Sequence, residues 1–152
     1  MDIQALYQEL IIDHGTAPRH FEAMLDFTNV AEGFNPLCGD KIKLYLSIEN
    51  SVIKKISFQG NGCAISTASA SLMTEALVNK TVTEGMHFFS LFQQMQTGAL
   101  CDEAQLPPKL LALKGVAAFP SRIKCVTLPW HTYKAAIEQN TAPISTEELN
   151  IT

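Results

Sequence analysis

Charge is scarce in this 152-residue chain: Asp, Glu, Lys and Arg make up 17% of it, 11 basic residues against 15 acidic ones. The longest basic run is Lys54-Lys55, so the electrostatic footprint of a nucleic-acid binder is missing. Long apolar runs are missing too, and none approaches the roughly 18 residues that a membrane-spanning helix needs. The opening residues, MDIQALYQEL, have no basic region leading into an apolar core and a small-residue cleavage site. No export signal is therefore expected. No two cysteines are spaced as CxxC, which removes the zinc-finger and ferredoxin patterns. The GNG at residues 60–62 has no Gly-Lys-Ser/Thr after it and gives no nucleotide loop. Internal repeats and low-complexity tracts are also absent.

What is present is ordinary globular material, 47% apolar with a formal charge of -4, long enough for one domain with its own core. Ile3, Leu6, Tyr7, Leu10 and Ile11 recur at helical spacing and predict a helix over 3–13 with one buried face. Residues 41–49, KIKLYLSIE, alternate strictly. With 52–58, VIKKISF, across Asn50-Ser51, they predict an antiparallel hairpin. A stable sheet needs at least one more strand, and 26–34 is the candidate. Helices are expected over about 65–79, 84–96 and 109–116, then a last one carrying Val126, Trp130, Tyr133 and Ile137. Pro129 lies inside that last helix and is expected to kink it or to split off its first turn. Helix, hairpin, then helices in a small chain predict α+β layers. Residues 1–140 are expected to form the single domain and 141–152 a frayed tail.

Four cysteines, Cys38, Cys63, Cys101 and Cys125, in a chain of this size without an export signal predict a cytoplasmic, reducing compartment and thiol chemistry. Cys38 sits in a Pro/Gly-rich turn, NPLCGD, just before the first hairpin strand, and Cys63 follows the second strand in GNGCAIS. Antiparallel pairing brings those strand ends together, so Cys38, Asp40 and Cys63 are expected at one edge of the sheet. Cys63 also falls at a helix N-terminus, where a thiolate is stabilised. Arg122 and Lys124 flank Cys125, and close cations would lower its pKa. The residues alone leave three options open: a zinc site of three thiols and a carboxylate, part of an iron–sulfur cluster, or unlinked cysteines. His14 and His20 are expected at the surface or as caps, and His87 and His131 as packing residues. Ser66, Ser69 and Ser71 are likewise expected to pack rather than react.

Three stretches, NPLCGDKIKLYL, FQGNGCAISTASASLMTEALVNKT and RIKCVTLPWHTYKAAI, together with LYQELIIDHGTAPRHF, closely resemble the iron–sulfur cluster assembly scaffold family, the IscU/NifU N-terminal domain group. The resemblance covers nearly the whole chain to about residue 140. It implies an IscU-like α+β fold, a small antiparallel sheet of about three strands packed against several helices. It places the family's cysteines on Cys38, Cys63 and Cys125 and its aspartate on Asp40, and leaves Cys101 a spectator. Housekeeping scaffolds carry a histidine where this chain has Lys124, and a shorter connection between the second and third cysteines. Both departures resemble the SufU-like branch. That likeness implies zinc held by Cys38, Asp40, Cys63 and Cys125, and persulfide sulfur taken from a SufS-type cysteine desulfurase by Cys38 and passed to downstream cluster-assembly proteins. It further implies that a desulfurase histidine replaces the released cysteine on the metal, and that Arg122 helps to dock the partner or hold the persulfide. The protein would then be a sulfurtransferase-like acceptor rather than a free-standing enzyme, with no nucleic-acid or membrane partner. The alternative is a scaffold on which a [2Fe–2S] cluster is assembled on Cys38, Cys63 and Cys125 and transferred.

Overall fold

The computed structural model of the chain describes residues 2–140 and 142–147. Its elements run α1 (Ile3–Thr16), β1 (Asn29–Asn35), β2 (Asp40–Glu49), β3 (Val52–Asn61), α2 (Ala64–Leu77), α3 (Val82–Thr97), a 3-10 segment (Pro108–Ala118), α4 (Pro120–Ile137) and β4 (Ile144–Ser145). The strands form one sheet in the order β3-β2-β1-β4. β1, β2 and β3 pair antiparallel, and the two-residue β4 runs parallel to β1. The α+β architecture is as expected, but the sheet is mixed and has four strands. The fourth comes from the segment expected to fray: Gly33 and Phe34 pair with Ile144 and Ser145. Thr141 and residues 148–152 of that segment lie outside the described residues.

One face of the sheet carries Ile42, Leu44, Leu46, Ile56 and Phe58, all buried under the helices, while Lys41 and Lys43 alternate outward. The β2–β3 turn is tight because Asn50 and Ser51 both take positive φ, 53° and 62°. That is the type I′ geometry whose twist suits a two-residue hairpin. α3 starts on a capping box between Thr81 and Glu84 and stops at Gly98 in the left-handed region. The connection from α3 to α4 is not slack. The short helix expected over 109–116 is a 3-10 segment that buries Leu110, Ala112, Leu113 and Val116 in the core.

Two further expectations need correcting. The apolar stripe of α1 is only partly covered: Ile3 and Leu6 are exposed, Tyr7, Leu10 and Ile11 are half-buried with Ile11 packed on the core, and His14 is the one fully buried residue of this helix. α1 packs through its C-terminal half, where His14 Nδ1 meets Ser71 Oγ at 2.7 Å and that hydroxyl accepts the Arg19 N–H at 2.9 Å. The serine is thus a hydrogen-bonded pin between α1 and α2. The second concerns α4, whose first turn does not split off: the helix runs from Pro120 to Ile137 with Pro129 inside it. Proline has no N–H to offer the carbonyl four residues back, so the Cys125 carbonyl goes without its helical partner.

His131 packs edge-on against Phe89, ring centroids 5.3 Å apart, and its Nε2 has no partner among the described residues. Burial first, and Lys134 second, push its pKa down to about 4. The folded state therefore holds this ring neutral, while the unfolded chain protonates it near the ordinary value of about 6.5. Its stabilising contribution is complete above about pH 6.5 and is lost as pH falls toward 4, by about 2–3 kcal/mol. His131→Phe is expected to flatten the pH dependence of urea-unfolding free energy across that window by about this amount.

Candidate metal centre

Each element delivers its ligand-type side chain for a local reason. Asn35 and Asp40 are the last paired residues of the β1–β2 hairpin, so NPLCGD is the tip of that hairpin rather than a lead-in to a first strand. The Asn35 carbonyl accepts the N–H groups of Cys38 (3.3 Å) and Gly39 (2.8 Å). Pro36 is pre-set for the turn, and Gly39 takes a φ of +75° that a side chain would disfavour. This leaves Cys38 exposed on the tip. Lys41 pairs with Asn61, which brings the start of β2 beside the end of β3, as strand pairing predicted. Cys63 follows there as the N-cap of α2, its Sγ accepting the Ser66 N–H at 3.4 Å. Cys125 enters from the second turn of α4, fully buried.

Asp40 is buried as well. Its Oδ1 accepts the Cys63 N–H at 2.9 Å, while its Oδ2 has no partner among the described residues. A buried carboxylate oxygen without a partner is costly unless something positive takes it up. One carboxylate oxygen of Asp40 and the sulfurs of Cys38 and Cys125 all lie within 4.8 Å of one another, and the two sulfurs are 3.4 Å apart. Two thiols and a carboxylate converging at the mouth of the sheet are a donor set for zinc or for an iron–sulfur centre.

Cys63 stands slightly apart and does not join that close group. The Cys125 thiol beside it, helped by the N–H groups of Ser66 and Ile65 at the start of α2, brings the Cys63 pKa down to about 6. Cys125 shifts the opposite way: its interaction with Cys63, its burial and its bond to Cys38 Sγ at 3.4 Å all hold its proton on, against the effect expected of neighbouring cations. Arg122 is near, its charge favoured by a hydrogen bond to Cys125 and by the Cys63 sulfur. Lys124 instead pairs with Glu147 of the C-terminal segment, Nζ to Oε1 2.9 Å.

Cys101 lies away from this group, its thiol donating to the Leu91 carbonyl at 3.2 Å. Burial and the nearby acids Glu103 and Asp102 raise its pKa, which suits a spectator. Sequence reasoning missed Asn35. Its buried side chain donates to Cys125 Sγ at 3.6 Å, yet in the sequence it shows only as a turn-forming residue before proline. At Gly62 an added Cβ would crowd Asp40 Oδ1 at 3.2 Å and Ser66 at 3.3 Å.

A small α+β protein with thiols and a carboxylate gathered at one sheet edge is a metal- or cluster-site protein of the kind found in iron–sulfur assembly. Residues 6–140 match the NifU-like N terminal domain. The chain belongs to that family, the IscU/NifU/SufU cluster-assembly scaffold proteins. It is 35% identical over 136 residues to the zinc-dependent sulfurtransferase SufU of Bacillus subtilis, covering 90% of this chain and 92% of that one. It is 38% identical over 135 residues to the iron–sulfur cluster assembly scaffold protein IscU of Streptococcus pyogenes, covering 89% and 84%. Among solved structures, a candidate SUF-system scaffold protein of Fervidobacterium islandicum superposes with a TM-score of 0.82 at 32% identity, over 90% of this chain and 99% of that one.

Proposed function

We propose that this protein is a zinc-holding sulfur acceptor in iron–sulfur cluster assembly, taking persulfide sulfur from a SufS-type cysteine desulfurase. The observation that carries the reading is the buried Asp40 carboxylate, with one oxygen unpartnered, gathered with the Cys38 and Cys125 sulfurs. A hard oxygen among soft sulfurs suits zinc, which accepts both in tetrahedral sites. Cys38, Asp40, Cys63 and Cys125 would hold the ion, with Cys63 supplying the fourth donor by a small turn of its side chain. Bound zinc would keep the thiols deprotonated and together. The B. subtilis relative, which carries zinc dependence and sulfur transfer in its name, supports the same choice.

In the transfer step the Cys38 thiolate attacks the outer sulfur of the desulfurase persulfide. A sulfur–sulfur bond forms on Cys38 as the one on the desulfurase breaks, and the desulfurase cysteine leaves as its thiolate. Nothing is oxidised or reduced overall. Exposure of Cys38 on the hairpin tip meets the access requirement. Exposed Leu37, next to it in the chain, and the cation of Arg122 offer apolar and charged contacts beside it. No helix among the described residues is long and apolar enough to cross a membrane.

Purified protein is expected to bind one equivalent of zinc tightly. It is expected to raise desulfurase turnover, and to yield no stable cluster when supplied with iron and sulfide. The [2Fe–2S] scaffold reading is favoured by the Streptococcus relative's name. A reproducible cluster that passes to an apo-acceptor protein would establish that reading and overturn ours.

A further inference from the structure

The end of β1 carries a side chain whose chemistry the proposed transfer step does not use. Asn35 is 1% exposed, and its amide has different partners at its two ends. Nδ2 points to Cys125 Sγ at 3.6 Å. Oδ1 accepts the Leu37 N–H at 3.3 Å and the Thr146 hydroxyl at 3.1 Å. A backbone N–H can only donate, so the atom facing Leu37 has to be the oxygen. The donor end is thereby committed to the sulfur. Thr146 is fully buried and reinforces the same orientation from 111 residues away in the chain.

Thr146 reaches this place because the C-terminal segment is fastened on both sides. Its N–H donates to the Phe34 carbonyl at 3.1 Å, continuing the β1–β4 pairing. The Glu147 carboxylate accepts from Lys124, the residue beside Cys125 on α4. Gly33 lets this corner close, since a Cβ there would run into Thr132 of α4 and Ile144 of β4. The segment therefore ties β1, which brings Asn35, to α4, which brings Cys125.

We infer that Asn35 is a positioning residue for the Cys125 sulfur, and that Thr146 makes the C-terminal segment a clamp on the metal site. An N–H···S bond fixes the direction in which the sulfur presents its lone pairs and disperses charge from a metal-bound thiolate. Outer-shell partners of this kind typically change metal affinity by about 10–100-fold. The inference rests on the proposed metal site, but not on which metal occupies it.

The experiment compares wild type, Asn35→Asp, Thr146→Val and Thr146→Ser. Asn35→Asp keeps the shape and the acceptor oxygen but loses the donor. Thr146→Val deletes only the hydroxyl, and Thr146→Ser restores it. Zinc affinity is read by competition with a chromophoric chelator. The thiolate-to-metal charge-transfer band is read after cobalt(II) substitution. Asn35→Asp is expected to weaken zinc binding about 10–100-fold and to shift the cobalt band. Thr146→Val is expected to weaken zinc about 3–10-fold, at the milder end of outer-shell effects, with recovery in Thr146→Ser. Wild-type affinity and an unshifted band in both Asn35→Asp and Thr146→Val would overturn the inference. So would an equal loss in Thr146→Ser and Thr146→Val, which would make the residue merely structural. If Asn35→Asp does not fold, the threonine pair decides. A wild type that takes a cluster in place of zinc refutes the zinc reading alone. The same variants are then compared by cluster lifetime, with the same order expected.

Discussion

Cys38→Ala is expected to give a folded protein whose stimulation of a cysteine desulfurase is gone. Cys38 is exposed on a four-residue hairpin tip, and its backbone N–H, not its sulfur, makes the turn bond to Asn35. Truncation there empties no core space, so the metal-free protein is expected to unfold within about 0.5 kcal/mol of wild type. Sulfur acceptance is another matter. With the attacking sulfur removed, desulfurase turnover in the presence of the variant should fall to the rate without it. Cys101→Ala is the matched control and should transfer normally, because its thiol is tied to Leu91 and held protonated. The measurement is sulfide release together with mass detection of a 32 Da adduct (about one sulfur atom) on the acceptor, the species expected from persulfide exchange. A variant that unfolds when metal-free would point to a structural site instead. Persistence of the adduct in Cys38→Ala would move the acceptor role to another thiol.

Trp130→Ala is expected to be the most damaging core substitution, costing about 3–5 kcal/mol. Trp130 is almost wholly buried and stacks on Phe92 of α3, ring centroids 4.7 Å apart with an 18° tilt between planes. Its indole N–H has no partner among the described residues, so the loss is one of packing and leaves no orphaned acceptor behind. A domain of this size has about 5–15 kcal/mol in total, so the variant gives up a third or more of it. Urea unfolding should show a lower midpoint with little change in slope. Trp130→Phe, which keeps an aromatic face for Phe92, should lose clearly less. Because Trp130 lies on α4 little more than a turn beyond Cys125, the alanine variant should also bind zinc more weakly. A cost under about 1 kcal/mol would show that the α3–α4 interface closes over the gap, against the usual behaviour of rigid cores.

Much of the fold follows from local pattern. The alternation of Ile42, Leu44 and Leu46 set the facing of β2, and strand pairing alone put Cys38, Asp40 and Cys63 at one edge of the sheet. β1 was hard to see because Glu32, Gly33 and Asn35 are poor strand formers, held in place here by β2 on one side and β4 on the other. β4 was invisible, since a two-residue strand has no period. α1 misled for the opposite reason. Its apolar residues are periodic, but periodicity shows only that a face exists, not that it is covered throughout. His14 was read as a surface residue because the serine that receives it lies 57 residues away.

The sequence by itself determined that Cys38, Asp40 and Cys63 come to one edge of the sheet, because hairpin connectivity is a local property. Its motifs also carried the family likeness. The tertiary structure alone decided how those groups behave. It buries Asp40 with one oxygen unpartnered, lowers the Cys63 pKa while raising that of Cys125, turns Lys124 toward Glu147, and aims the Asn35 amide at sulfur. These properties depend on desolvation and on contacts between β1, α4 and the C-terminal segment. Packing sets such terms, and they have no footprint in the spacing of residues along the chain.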